Sequence, residues 1–99
     1  MTIRHVVAWK LAATDEVERA EQAARIKQGL ESLPAVIPQL RFLQVGVNVV
    51  PVNDFDLVLI SDFDSVEDIA IYQEHPAHLE VAGFIRSVVA SRASVDFEV

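Results

Sequence analysis

Apolar and polar residues alternate from the start of the chain. Ile3, His5, Val7, Trp9 and Leu11 fall on one side, Arg4, Val6, Ala8 and Lys10 on the other. Period two over that length predicts a β-strand. The period then lengthens. In "ATDEVERAEQAARIKQGLESL" the apolar positions Val17, Ala20, Ala24, Ile26, Leu30 and Leu33 recur mostly at helical spacing. Thr14 or Asp15 serves as N-cap, with acids in the first turn. The two prolines of "LPAVIP" end this helix, because the residue before a proline is pushed out of the helical region. "LRFLQVGVNVV" predicts a second strand of about ten residues, with Leu43, Val45, Val47 and Val49 on one face. Pro51 to Asp54 marks a turn and "FDLVLISDF" a third strand. Ser65 with Asp68 is a capping-box-like start for a second helix. That helix breaks at His75-Pro76 and resumes, with Pro76 near its new first turn, to about Ala90. "ASVDFEV" alternates again as a closing strand. The order β-α-β-β-α-β predicts an α+β, ferredoxin-like domain over residues 1–99, a four-stranded antiparallel sheet with its helices on one face.

Two helices cover one face of such a sheet, yet the first and third strands are apolar on both. Val6 and Ala8 oppose Ile3, Val7, Trp9 and Leu11; Val58 and Ile60 oppose Phe55, Leu57 and Leu59. Leaving these side chains in water forgoes about 1.5–3 kcal/mol for each large one and makes a patch larger than monomers usually expose. A second copy of the sheet is the natural cover, so a homodimer packed sheet against sheet about a twofold axis is expected.

Composition narrows the function classes. With 52% hydrophobic and 23% charged residues the chain has the make-up of a folded globular domain. It has no cysteine, which excludes disulfides, thiol catalysis and thiolate metal sites and leaves the cytoplasm as the default compartment. No apolar run approaches a membrane span, and the broken apolar start reads as a strand rather than a signal peptide. A formal charge of −7 with scattered basic residues disfavours nucleic acid and anionic membrane as partners. No glycine-rich phosphate loop, nucleophile elbow or nicotinamide fingerprint is present, and no cofactor is expected.

The candidate chemistry lies in "YQEHPAHLEV". It carries the sole tyrosine and two of the three histidines. His78, Val81, Ala82, Ile85, Val88 and Val89 form a helical stripe, which puts His78 at the start of a buried face; Tyr72 shares a face with Ile69 one turn away. His5 alternates with Ile3 and Val7 and looks at the same interior if that side of the strand faces the helices. His5, Tyr72 and His78 would then form an acid–base site, since imidazole titrates near neutrality and a phenol can hold a proton or hydrogen-bond an oxyanion. The alternative is a helix break with polar decoration. His75 either joins the pocket or ties down free backbone groups at the break. A metal held by His75 and His78 is disfavoured, because Pro76 disturbs their spacing and no third ligand is evident.

"IRHVVAWKL", "LQVGVN", "FDLVLISDF", "YQEHPAHLEVAGFI" and "VDFEV" together resemble the stress-responsive A/B barrel (Dabb) domain across essentially the whole chain. The most specific element is Tyr-x-x-His-Pro-x-His combined with His5. The resemblance implies a dimeric α+β barrel and a pocket between sheet and helices in each subunit. Certain plant members similar in these motifs are cofactor-free polyketide cyclases, and their acid–base roles fall by position on Tyr72, His78 and His5. Pocket walls then come from Val7, Trp9, Ile26, Leu30, Leu59 and Phe84. Leu57 stands where those cyclases have a further histidine, and Leu30 where they have an aromatic hydroxyl. Trp9 also takes pocket space. These departures point to a smaller apolar carbonyl compound than a long polyketide. A binding protein that sequesters an apolar ligand in the same pocket, and an oxygen-using or haem-handling barrel, stand as the alternatives.

Overall fold

A computed structural model describes residues 1–99. Strand β1 (Ile3–Leu11) buries every odd residue and leaves every even one half-buried, the alternation its sequence predicts. Helix α1 (Glu16–Glu31) is capped by Asp15, whose carboxylate accepts from the Glu18 N–H at 2.9 Å. Of the two proposed caps, Asp15 is the one used. Ala23, Ile26 and Leu30 of α1 are buried, and a short 3-10 turn at Leu33–Ala35 ends the segment. Strand β2 (Phe42–Val47) and β3 (Leu57–Phe63) follow, then α2 (Val66–Glu74), α3 (Pro76–Val88) and β4 (Val89–Glu98). Ser65 caps α2 by accepting from the Asp68 N–H at 3.1 Å. The sheet order is β2-β3-β1-β4 with every neighbouring pair antiparallel, the ferredoxin-like arrangement. One core of 17 buried apolar residues lies between the inward face of the sheet and the helices. No helix is long and apolar enough to cross a membrane.

Two boundaries differ from expectation. The second strand is six residues rather than about ten, and Val49 lies 88% exposed instead of sharing the buried face. β2 is an edge strand, so its ladder ends where β3 begins, at the Val47–Leu57 pair. Asn48 then redirects the chain: its amide bonds the Val50 carbonyl at 2.9 Å and its side-chain oxygen accepts from Asn53 at 2.9 Å. At the other boundary α3 stops at Val88, not near Ala90, and β4 begins at once. A register shift between Lys10 and Leu11 absorbs this direct helix-to-strand passage.

β4 orients its two faces against the general trend. Residues opposite one another on antiparallel strands share a face. Arg92 pairs with Trp9, Ser94 with Val7, Asp96 with His5 and Glu98 with Ile3, so the helix-side face of β4 is polar from Arg92 to Glu98. Ala93, Val95 and Phe97 point to the outer face, beside Val6, Ala8, Val58 and Ile60.

Candidate active site

The chemistry of the site starts from the helix break. A continuous helix would pair the Tyr72 carbonyl with the N–H of residue 76, but Pro76 has none. His75 turns extended (φ −63°, ψ 135°), and its own N–H takes the Tyr72 carbonyl at 3.2 Å. The next donor, the Ala77 N–H, bonds the His75 imidazole at Nδ1 (3.1 Å), which makes His75 the N-cap of α3. With Ala77 so engaged, the Gln73 carbonyl is free for the His78 ring, whose Nδ1 lies 3.0 Å away. A carbonyl only accepts, so Nδ1 carries the proton and Nε2 of the neutral ring is left as a base. The proline thus selects the tautomer of His78 through two backbone groups.

The same break brings the two rings together. Six residues apart on a regular helix, Tyr72 and His78 would sit about 240° apart around the axis at about 100° per residue. Here their ring centroids are 4.5 Å apart, tilted by 55°. Tyr72 is buried against Phe63 at 5.1 Å, and its hydroxyl has no hydrogen-bond partner in the protein. Burial raises the phenol's pKa well above its ordinary value, so the group is a proton donor and not a phenolate. His78 is shifted the other way, chiefly by desolvation; its bond to the Gln73 carbonyl opposes this, and the charges of His5 and Arg86 add to the lowering. Its neutral form is therefore favoured at neutral pH.

His5 reaches the site from the centre of the sheet. Its imidazole is almost fully buried, stands edge-on to Phe63 at 6.4 Å between centroids, and gives its Nδ1 proton to the Asp96 carboxylate across the β1–β4 ladder. Ser61, its opposite neighbour on β3, is fully buried and bonds the His5 carbonyl at 3.3 Å.

These groups surround a cavity of about 360 Å³ between sheet and helices. Its wall joins His5, Tyr72 and His78 to Val7, Trp9, Leu30 and Leu59. Trp9 forms part of the wall and leaves the cavity open. Three other expected wall residues lie elsewhere. His75 spends its imidazole on the α3 cap. Ile26 is fully buried in the core behind the wall. Phe84 lines a different groove, between α1 and α3, under the Arg25 guanidinium at 3.8 Å. Gln73, Ile85, Arg86 and Arg92 belong to the wall and were not expected. The helical stripe that placed His78 also contains Ile85 and could have supplied it. Arg92 and Asp96 needed the β1–β4 register, which alternation alone does not give. No three histidine or acidic side chains are grouped so as to hold a metal ion.

The fold recurs in solved structures. A dimeric protein of ferredoxin-like fold and unknown function from Bacteroides fragilis is 32% identical, with 99% of this chain and 96% of that one covered and a TM-score of 0.93. A dimeric ferredoxin-like protein from Thermobifida fusca is 28% identical (100% and 92% covered, TM-score 0.83). A hydroxynitrile lyase from Passiflora edulis shares the fold at 18% identity (97% and 91% covered, TM-score 0.77). No curated protein matches the chain. The family model for the stress responsive A/B barrel domain matches residues 3–99, and the chain belongs to that family.

Proposed function

We propose that the protein is a cofactor-independent acid–base enzyme, of lyase, cyclase or isomerase type, acting on a small carbonyl compound. One observation carries this: a buried, unpartnered phenol stands against an imidazole whose free nitrogen is Nε2, at the wall of a largely apolar cavity. An orphan hydroxyl costs about 1–3 kcal/mol, and a folded protein retains such a cost where a ligand group repays it. In the first step His78 Nε2 removes a proton from the carbon next to the carbonyl. The C–H electron pair becomes the enolate π-bond, and the developing oxyanion accepts from the Tyr72 hydroxyl. The imidazolium then returns the proton, to the same carbon, to another, or to the oxygen of a second carbonyl after a carbon–carbon bond has formed. His5, held by Asp96, closes the polar end of the wall. That one protein of this fold is a hydroxynitrile lyase is compatible with such chemistry but carries only the fold.

The test is deuterium uptake. Small aldehydes and ketones incubated in D2O with the protein are expected to exchange their α-protons faster than in buffer, with the gain lost in His78→Gln. Ligands that bind without exchanging would replace catalysis by sequestration.

The partner we propose is a second copy. The outer sheet face carries Val6, Ala8, Val58, Ile60, Val95 and Phe97, of which Val95 is 64% exposed and Phe97 45%. Two solved proteins of this fold are described as dimeric, which supports a sheet-on-sheet homodimer.

A further inference from the structure

We infer that the cavity takes a carboxylate-bearing carbonyl compound, a keto acid, with its carboxylate on Arg86 and Arg92. The chain has fifteen acidic and eight basic residues, and four of the eight basic side chains have an acidic partner. Arg4 pairs with Asp62, Lys10 with Asp54, Lys27 with Glu31 and Arg41 with Asp64. Arg25 lies on the Phe84 ring, and Arg19 donates to the Thr14 carbonyl at 3.4 Å. Two basic residues are left. Arg86 has no hydrogen-bond or ion-pair partner, and Arg92 reaches only the neutral Ser94 hydroxyl at 3.3 Å. Both are on the wall of the one cavity that holds Tyr72 and His78.

They arrive there from different elements, Arg86 from the last turn of α3 and Arg92 from the β4 position opposite Trp9. Two guanidiniums can each offer a carboxylate a planar pair of donors, a geometry that lysine lacks. Arg86 follows His78 by eight residues on α3, about 12 Å between Cα atoms at about 1.5 Å per residue. Long side chains on a helix lean back toward its N-terminus, which shortens the gap between guanidinium and imidazole. Asp96, the acid bonded to His5, sits four residues along β4 from Arg92, about 14 Å away at about 3.4 Å per residue. Between the two ends, Trp9, Leu59 and Ile85 offer an apolar wall to the intervening carbons. The orientation of the ketone rests on the acid–base function proposed above; the carboxylate contact does not.

Trp9 is the sole tryptophan and lines the cavity, so its fluorescence reports occupancy. The probes are 5-oxohexanoate and its neutral amide, 5-oxohexanamide. The acid is expected to bind about tenfold more tightly, which is about 1.4 kcal/mol, with a preference that fades as salt is raised. Arg86→Gln and Arg92→Gln should each cut the ratio toward one, while Arg25→Gln leaves it intact. Equal binding of acid and amide overturns the inference, as does a preference that survives in the Arg86→Gln/Arg92→Gln double variant or no response to the acid at all. α-Proton exchange in D2O separates the two proposals. Exchange of both probes without preference keeps the enzyme and discards the carboxylate site. Preference for the acid without exchange of either keeps the site and discards the enzyme.

Discussion

Replacing Tyr72 by phenylalanine removes one oxygen and leaves the ring. The contacts with Phe63 and His78, at 5.1 and 4.5 Å between centroids, depend on that ring and survive. What is lost is a hydroxyl buried with no partner. Burying such a group costs about 1–3 kcal/mol, so its removal should stabilise the fold by about 1 kcal/mol once some relaxation is allowed for. For a chain of this size that raises the melting midpoint by about 4–8 °C. Tyr72→Ala, by contrast, should cost about 3–5 kcal/mol, because it empties a core position. Unfolding by urea at fixed protein concentration measures both, the concentration being held because self-association of the kind proposed above would add to apparent stability. If the hydroxyl is the oxyanion donor, the same Tyr72→Phe variant loses about 10²–10³ in exchange rate. Stability up and activity down is the expected signature of a functional group left unsatisfied in the free protein. A Tyr72→Phe protein less stable than the parent by more than about 1 kcal/mol would refute the reasoning, since the hydroxyl would then be satisfied in solution.

His78 gives a pH prediction. Its folded pKa is lowered, so the unfolded chain binds more protons and stability must fall as pH drops through the unfolded value of about 6.5. Urea midpoints between pH 7.5 and 5 should show that fall, with a shallower slope in His78→Gln. Tyr72 acts at the opposite extreme: its folded pKa is raised, so the stability linked to it is complete below about pH 10, lost as pH climbs further, and absent from the alkaline unfolding profile of Tyr72→Phe. His75→Ala removes a helix cap and should cost about 0.5–2 kcal/mol, much of it restored by His75→Asn. In the alanine variant the freed Ala77 N–H competes for the Gln73 carbonyl, and ¹⁵N chemical shifts of His78 should move toward the other tautomer. Val95→Glu on the outer face should shift sedimentation from dimer to monomer with the cavity undisturbed.

Most of the fold was legible because its signals are local. Alternation in β1, the Ser65 cap and the proline break each act within a few residues, and the structure uses all three. The failures are long-range. "NVV" has the apolar content of a strand, but Val49 lies beyond Val47, which pairs with the first residue of β3, Leu57, and so has no partner there. The site divides the same way. His5, Tyr72 and His78 follow from strand and helix periodicity, whereas the cationic end of the cavity depends on which face of β4 meets β1. Nothing in "SRASVDFEV" says that its apolar residues face away from the helices. That choice fits the homodimer proposed above, in which a second copy covers the outer face of the sheet.

The broken helix also bears on transplanting the site. Tyrosine and histidine six positions apart do not meet on a regular helix, so grafting that pair onto an unbroken scaffold would place the rings on different sides. The portable unit is the whole seven-residue run from Tyr72 to His78, with Pro76 to delete a donor and His75 to occupy the next one. Surveys for paired side chains at helical spacings of three or four would pass over it. A proline between two histidines, with an aromatic hydroxyl one turn upstream, is the better pattern to look for.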